Sequence, residues 1–134
     1  MTNEVFIVSG ARTPIGSFMG NLSSFSAPEL AAAAIQKTLD TSSVEADQID
    51  EVLIGNVVSA GLKQAPARQA MRLAGIPDGC GATTINKVCG SGMKATMLAF
   101  DLIRSGSADT VLSGGMESMS NAPYPVSYTH LRAH

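Results

Sequence analysis

Residues 82–95 read Ala-Thr-Thr-Ile-Asn-Lys-Val-Cys-Gly-Ser-Gly-Met-Lys-Ala, and they contain a predicted strand, a turn and the start of a predicted helix. Its β-branched beginning, residues 82–85, predicts a strand. The two glycines that follow permit a sharp turn, and a helix is predicted from there to about Ser105. That helix is almost wholly apolar, so we expect it to be packed between layers, with one narrow polar stripe made of Lys94, Asp101 and Arg104.

Short apolar runs on both sides of this stretch predict further buried strands. They lie at residues 5–8, 52–54 and 110–112. Each run is too short for a helix and is bounded by residues that favour turns, such as Gly10 after the first run and Gly55 after the second.

Helical patterns alternate with these strands. Ser26-x-x-Glu29 is a capping box that opens an alanine-rich helix to about Asp40. Residues 66–73 begin with a proline and predict a second helix, and Ser43 is expected to cap a short helix through Ile49. The alternation of strands and helices predicts an α/β fold with a mainly parallel sheet.

Cys89 lies on the glycine-rich turn, at the start of the predicted helix. The macrodipole and the free N–H groups of a helix N-terminus favour anions, so they would favour the nucleophilic thiolate. The same N–H groups could donate to the oxyanion that forms when a thiolate attacks a carbonyl. This arrangement suits covalent acyl transfer. A lone cysteine is also commonly a small buried hydrophobic residue, and spacing alone leaves both interpretations open.

The composition argues against several classes of function. The chain has 134 residues, is 45% hydrophobic and 15% charged, and carries a formal net charge of -2. It has no run of basic residues, which argues against nucleic-acid binding. It has no run of roughly eighteen apolar residues, which argues against a membrane span. A composition this apolar predicts that part of the surface of the chain is covered by a further domain or a partner subunit.

The cysteines and the first residues indicate a compartment. The chain has two cysteines, Cys80 and Cys89, which are too few for a disulfide scaffold. We expect both to be free thiols in a reducing, cytoplasmic compartment rather than partners in a disulfide. No charged segment precedes the apolar run at residues 5–8, so a secretory signal is not expected.

The last nine residues, 126–134, break the preceding pattern. They read Val-Ser-Tyr-Thr-His-Leu-Arg-Ala-His and resemble the translation of a transposase sequencing adaptor, GTC TCT TAT ACA CAT CTC CGA GCC CAC. We interpret residues 1–125 as a partial domain and residues 126–134 as a non-native tail; the alternative is an ordinary polar C-terminus. The only two histidines of the chain, His130 and His134, lie in this tail.

Four segments, in order, resemble the motifs of the thiolase family. Asn86-Lys-Val-Cys-Gly-Ser-Gly-Met-Lys-Ala95 is similar to the family's active-site cysteine motif almost letter for letter. The family's opening strand and loop are similar to Val8-Ser-Gly-Ala-Arg-Thr-Pro-Ile-Gly16. Its second segment is similar to Gly55-Asn-Val-Val-Ser-Ala-Gly61 with Gln64 and Pro66-Ala-Arg-Gln-Ala70. Its Gly-Gly-Met-Glu-x-Met-Ser stretch is similar to Gly114-Gly-Met-Glu-Ser-Met-Ser-Asn-Ala-Pro123. The resemblance covers residues 4–124.

The resemblance implies the thiolase fold, in which two similar halves stack as an α-β-α-β-α sandwich. This chain would hold most of the first half, a partial N-terminal domain. Thiolases assemble from identical subunits, so the resemblance implies a homodimer or homotetramer for the full-length parent.

The resemblance also implies a mechanism. Cys89 would take an acyl group from an acyl-CoA or a 3-ketoacyl-CoA, with its own backbone N–H as an oxyanion donor, and pass it to a second substrate by ping-pong chemistry. Coenzyme A thioesters are then the substrates, with no permanently bound cofactor and no metal. The family's activating histidine and second cysteine come from C-terminal motifs that Cys80 does not match. We therefore expect the chain as written to be inactive alone.

The expected parent reaction is formation or cleavage of acetoacetyl-CoA from two acetyl-CoA in lipid metabolism. One alternative is a long-chain 3-ketoacyl-CoA thiolase of fatty-acid β-oxidation. Another is a ketoacyl-synthase-like condensing enzyme, which usually carries a Ser/Ala run where Cys89 is followed by Gly-Ser-Gly-Met. A noncatalytic thiolase-like binding protein would lack Cys89, and a redox thiol protein would need a better resolving partner than Cys80.

Five other residues carry weaker expectations. Met116, Glu117 and Asn121 are expected near the strand end that faces the catalytic centre or the dimer seam, more as loop and packing residues than as catalytic ones. Arg12 is expected to anchor a loop by hydrogen bonds. Lys63 replaces a glycine often seen before the family's Gln64, which makes the local loop geometry an open question.

Overall fold

The computed structural model describes residues 3–125, and its helices and strands follow the predicted order. The helices are α1 (Ala27–Asp40), α2 (Pro66–Leu73) and α3 (Ser91–Arg104), and the strands are β1 (Glu51–Gly55), β2 (Gly81–Ile85) and β3 (Val111–Gly115). Two 3-10 turns, Ala46–Gln48 and Met119–Asn121, complete the described elements. The predicted α/β class is confirmed, and the tail predicted at residues 126–134 lies outside the described residues.

The three strands form one parallel sheet in the order β2-β1-β3. The central strand is β1, in which Gly55 lies opposite Ile85 on one side and Gly115 on the other. All three strands therefore end at the same edge of the sheet. The segments that follow them meet there, which is where open parallel sheets build their sites.

Helices cover both faces of this sheet. Val52 and Ile54 of β1 belong to the larger core, which α1 and α2 complete with residues such as Ile35 and Met71. Leu53 points to the opposite face, where it packs with Ala95 and Ala99 of α3. The central strand is thus buried on both faces, as is typical of a parallel sheet.

Helix α1 begins at the predicted capping box. The Glu29 N–H donates to Ser26 Oγ at 3.4 Å, and the Ser26 N–H donates to Glu29 Oε2 at 2.7 Å. The bond from the Ser26 N–H, and then one from the Ser26 hydroxyl to Glu29 Oε2 at 2.9 Å, lower the pKa of the Glu29 carboxyl group. The reciprocal cap fixes the point at which the preceding loop becomes helix.

Residues 5–8 do not form the predicted buried strand. Residues 3–16 contain no helix or strand, and Ile7 is 88% exposed. This segment and β3 line a common cavity of about 420 Å³, and no main-chain hydrogen bond within residues 3–125 joins the two. An apolar run is buried only where another element covers it, and none of the described elements covers this one.

Helix α3 is covered on one face only, whereas the sequence predicted a helix between layers. Ser91, Ala95 and Ala99 are buried, but Met93 is 71% and Met97 50% exposed. The reason is that nothing within residues 3–125 packs on the outer face. Neither α3 nor any other helix in this part of the chain is long and apolar enough to cross a bilayer.

The short helix predicted after Ser43 is a 3-10 turn, Ala46–Gln48. Its N-cap is Glu45, whose N–H donates to Gln48 Oε1 at 2.8 Å. The cap predicted at Ser43 is therefore wrong by two residues. The N-cap is Glu45, because its N–H is bonded by the side chain of Gln48, three residues later in the sequence.

Candidate active site

Cys89 lies between the end of β2 at Ile85 and the start of α3 at Ser91. Its side chain is exposed and is a free thiol. The sulfur is thus at the carboxyl edge of the sheet and at the N-terminus of a helix, open to solvent. A sealed and inert Cys89, the alternative that the sequence left open, does not agree with this exposure.

The turn that carries Cys89 is closed by side chains as well as by the main chain. Ser91 Oγ accepts from the Lys87 N–H at 2.8 Å and donates to the Val88 carbonyl at 2.5 Å. Asn86 Oδ1 accepts from the Val88 N–H at 2.9 Å. Val88 has a φ of +48°, a left-handed conformation that β-branched residues rarely adopt.

The first turn of α3 leaves main-chain donors free beside the thiol. Gly90 is the N-cap and has no side chain to accept from them. Within residues 3–125, the N–H groups of Cys89, Gly92 and Met93 have no acceptor. Free donors at a helix N-terminus attract anions. The predicted use of the Cys89 N–H as an oxyanion donor remains a prediction, and this N–H is free to serve it.

Glycines allow α3 to begin directly on the edge of the sheet. A Cβ atom on Gly55 would lie 2.5 Å from the carbonyl carbon of Ser91, and one on Gly115 would lie 3.2 Å from the Cα atom of Gly92. Side chains at these points would push the helix away from β1 and β3. The missing side chains therefore bring the start of α3, and Cys89 with it, onto the strand ends.

A partly buried hydrogen-bonded cluster lies beside this turn, and we call it the carboxylate clamp: Asn56, Val57, Val58 and Glu117. Asn56 is fully buried, and its Nδ2 donates to the Met116 carbonyl at 3.2 Å and to Glu117 Oε1 at 3.0 Å. Glu117 also accepts from the N–H groups of Val57 and Val58, at 2.9 and 3.0 Å. The carboxylate thereby fixes the loop after β1 to the segment after β3.

The other two residues flagged after β3 make packing and loop contacts, as expected. Met116 is buried, and its N–H donates to the Gly55 carbonyl at 2.9 Å. Asn121 Nδ2 donates to the Ser23 and Phe25 carbonyls, both at 2.9 Å, and so fastens the loop before α1. Asn56 was not among the residues predicted to be functional. Its one signal was a polar residue directly after a buried strand.

The expectations for Arg12 and Lys63 have different outcomes. The loop-anchoring role expected of Arg12 stays a prediction; within residues 3–125 the residue borders a cavity of about 330 Å³ together with Glu117. Lys63 has a φ of +62°, so it keeps the left-handed conformation that glycine adopts without strain. The departure from glycine at this position is therefore accommodated by a strained lysine.

Cys80 lies apart from this site. It is buried in the larger core, and its Sγ donates to the Gly81 carbonyl at 3.3 Å. Burial, and then the negative charges of Glu51 and Asp50, raise the pKa of the Cys80 thiol. Both cysteines are free, as predicted, and one thiol is buried while the other is exposed.

Comparison with known proteins gives concordant matches. The family model described as "Thiolase, N-terminal domain" matches residues 5–133. The chain is 50% identical over 131 residues to the acetyl-CoA acetyltransferase of Pseudomonas aeruginosa, covering 96% of this chain and 33% of that protein. It is 50% identical over 125 residues to the mitochondrial acetyl-CoA acetyltransferase of Mus musculus, covering 93% of this chain and 30% of that protein. The chain thus spans about a third of the length of these curated relatives.

A solved structure has the same fold. The crystal structure of Acat5 thiolase from Ascaris suum in complex with coenzyme A superposes with a TM-score of 0.87 at 42% sequence identity. The superposition covers 90% of this chain and 31% of that one. Sequence and structure comparisons therefore agree over nearly all of the described residues.

Proposed function

The chain belongs to the thiolase family, and from this premise we propose that it is part of an acetyl-CoA C-acetyltransferase with Cys89 as its nucleophile. The thiolase fold expected from the sequence motifs is confirmed by the family match and by the likeness to a solved thiolase. One observation carries the proposal: an exposed free thiol lies beside unused N–H donors at the start of α3.

In the first half of the proposed reaction, the Cys89 thiolate attacks the carbonyl carbon of acetyl-CoA. The electron pair of the carbonyl moves to oxygen, where the Cys89 N–H donates to the developing charge. Collapse of this oxyanion breaks the bond to sulfur of coenzyme A. Coenzyme A leaves as a thiolate that takes up a proton, and an acetyl-Cys89 thioester remains.

In the second half, a second acetyl-CoA loses an α-proton and its enolate carbon attacks the acetyl-Cys89 carbonyl. The bond to Cys89 Sγ breaks, so acetoacetyl-CoA forms and the cysteine thiolate is regenerated. The family resemblance assigns the proton transfers to a histidine and a second cysteine. Residues 1–125 contain no histidine, so this part of the chain supplies the nucleophile and not the base.

The substrate class follows from the relatives. Their names, acetyl-CoA acetyltransferase in both cases, support a two-carbon acyl group. The structure title that names coenzyme A supports coenzyme A thioesters as substrates. These names favour the acetoacetyl-CoA reaction over long-chain thiolysis and over ketoacyl-synthase chemistry.

Three further points belong to this proposal. The exposed outer face of α3 supports a homodimer or homotetramer in the full-length parent, where another surface would cover Met93 and Met97. The two free thiols support a reducing, cytoplasmic location. Residues 126–134 are proposed to be non-native, which sequencing of the source DNA beyond the Tyr124 codon would test.

Transfer of an acetyl group to Cys89 is the direct test. The 134-residue chain is incubated with acetyl-CoA at about pH 9, where a thiol ionises without help from a base, and the modified peptides are mapped by mass spectrometry. Acetyl should accumulate on Cys89 and not on Cys80, and Cys89→Ser should take none. Equal labelling of both cysteines, or no label on Cys89, contradicts the proposal.

A further inference from the structure

The conformation of Val88 is the starting point. A φ of +48° is costly for a β-branched residue, and such outliers persist only where the surroundings hold them. Apolar burial does not hold Val88, because the residue is 65% exposed. The cost of this conformation must therefore be offset by hydrogen bonds of the Val88 main chain. Val88 directly precedes Cys89.

Side chains hold the Val88 main chain on both sides. Asn86 Oδ1 accepts from its N–H at 2.9 Å, and Ser91 Oγ donates to its carbonyl at 2.5 Å. Ser91 belongs to the first turn of α3 and also accepts from Lys87, so it is a fixed part of the helix start. Asn86 is the side chain that fixes the strand side of the turn.

Asn86 is in turn connected to the carboxylate clamp. Its Nδ2 donates to the Val57 carbonyl at 3.4 Å, and the Val57 N–H donates to Glu117 Oε2 at 2.9 Å. The same carboxamide thus contacts the Cys89 turn with its oxygen and the loop after β1 with its nitrogen. A residue with only one of these atoms could hold only one of the two segments.

We infer that Asn86 is a positioning residue for the Cys89 nucleophile: it holds Val88 in the left-handed conformation and so directs the Cys89 N–H toward the space where an oxyanion would form. Asn86 contacts neither substrate nor reacting atoms in this role. The inference rests on the proposed function of Cys89. If it holds, loss of Asn86 slows acyl transfer to Cys89 and leaves the general reactivity of the thiol nearly unchanged.

Two rates measured on the same thiol test this. Acetyl transfer from acetyl-CoA passes through an oxyanion, whereas alkylation by iodoacetamide does not. Asn86→Ala should lower the acetyl-transfer rate roughly tenfold or more, since small misplacements and lost oxyanion contacts have effects of this size or larger. It should change the alkylation rate less than about threefold. The matched control is Asn3→Ala, which removes a distant exposed carboxamide that donates to the Ile103 carbonyl.

Rescue separates positioning from a general structural effect. Asn86→Asp keeps the oxygen that accepts from Val88 but loses the donor to Val57 and adds a negative charge, so acetyl transfer should be faster than in Asn86→Ala and slower than in the unmodified chain. Val88→Gly added to Asn86→Ala should recover most of the loss, because glycine adopts this conformation without help. A loss in Asn86→Ala that affects both rates equally, or that neither change recovers, overturns the inference, as does an unchanged acetyl-transfer rate.

Failure of the proposed function has a different signature. If the unmodified chain takes no acetyl group on Cys89, the proposed function fails, and amide hydrogen exchange at Val88 then judges the positioning role. Faster exchange at Val88 in Asn86→Ala than in Asn86→Asp supports that role. Equal exchange in the two variants overturns it.

Discussion

Gly55 at the end of β1 and Gly92 in the first turn of α3 touch backbone to backbone: a Cβ atom on Gly55 would lie 2.6 Å from the Gly92 nitrogen. Both partners in this contact are main chain, so neither can move aside by rotating a side chain. The contact sets the distance between the sheet and the helix that begins just after Cys89.

Gly55→Ala should therefore lower the free energy of unfolding by about 2 kcal/mol or more, because the added methyl group overpacks a contact between two backbones. Urea denaturation followed by circular dichroism measures the change. The matched control is Gly79→Ala, where a Cβ atom would meet nothing within 4 Å and the effect should stay within about 0.5 kcal/mol. Equal midpoints for the two variants would contradict the role of this contact.

Glu117→Ala should destabilise the chain by about 2–4 kcal/mol. Removal of the carboxylate takes one of the two acceptors from the buried Asn56 amide and leaves the Val57 and Val58 N–H groups without theirs, and unsatisfied groups of this kind cost about 1–3 kcal/mol each when buried. The same denaturation experiment measures it. Glu4→Ala, at an exposed glutamate, is the control and should be near neutral; similar values for both variants would show that the clamp is not stabilising.

The stability of the chain should fall at alkaline pH through Cys80. Burial, then Glu51 and Asp50, raise the pKa of this thiol in the folded state above its ordinary value of 9.0. Once the pH passes that value, the unfolded chain binds fewer protons at this thiol than the folded chain does. The contribution of Cys80 to stability is therefore fully present below pH 9.0 and is lost as the pH rises from there through the folded-state pKa. Denaturation midpoints between about pH 8 and 11 test this. Cys80→Ala should flatten the decline, and an equally steep decline in that variant would exclude Cys80 as its source.

Lys63→Gly should stabilise the chain by about 0.5–1 kcal/mol. A left-handed conformation costs a lysine about 1–2 kcal/mol, and the change to glycine removes this cost. The greater freedom of glycine in the unfolded state offsets about 0.5–1 kcal/mol of the resulting stabilisation. Lys37→Gly makes the same change in the last turn of α1, where the φ is right-handed, and should cost about 1 kcal/mol. Thermal melts of the two variants should shift in opposite directions; shifts in the same direction would refute the strain at Lys63.

The purified 134-residue chain should not catalyse repeated thiolysis of acetoacetyl-CoA. Its nucleophile is present, but residues 1–125 offer no histidine to activate it. Loss of absorbance by the enolate of acetoacetyl-CoA in the presence of coenzyme A measures the reaction. Cys89→Ser provides the background rate, and turnover clearly above that background would contradict the prediction.

Most of the fold followed from local patterns in the sequence. The capping box at Ser26, the proline that begins α2 and the strand at residues 52–54 each depend on neighbouring residues, and the structure contains all of them. Residues 5–8 and the outer face of α3 were predicted wrongly for one shared reason. Hydrophobicity indicates that a segment can be buried, but burial requires a partner, and local sequence does not state whether the partner lies within the same stretch of chain.

The site was predictable in part. Cys89 and its place at a helix start could be found from a strand, two glycines and an apolar helix. The Asn56 amide and its bonds to Glu117 could not, because they join residues that are 61 positions apart and depend on the parallel register of β1 and β3. The left-handed Val88 was equally hidden, since nothing in a valine indicates a positive φ.

The exposed segment at residues 5–8 has a practical consequence for work with this chain. The main-chain amides and carbonyls of this apolar segment are not hydrogen-bonded to the described sheet. Such a segment can pair with the same segment of a neighbouring molecule. Such pairing grows with concentration, so dilute samples should remain monodisperse while concentrated ones scatter light. A charged residue in place of Ile7 would act as a gatekeeper and delay precipitation without disturbing the thiol.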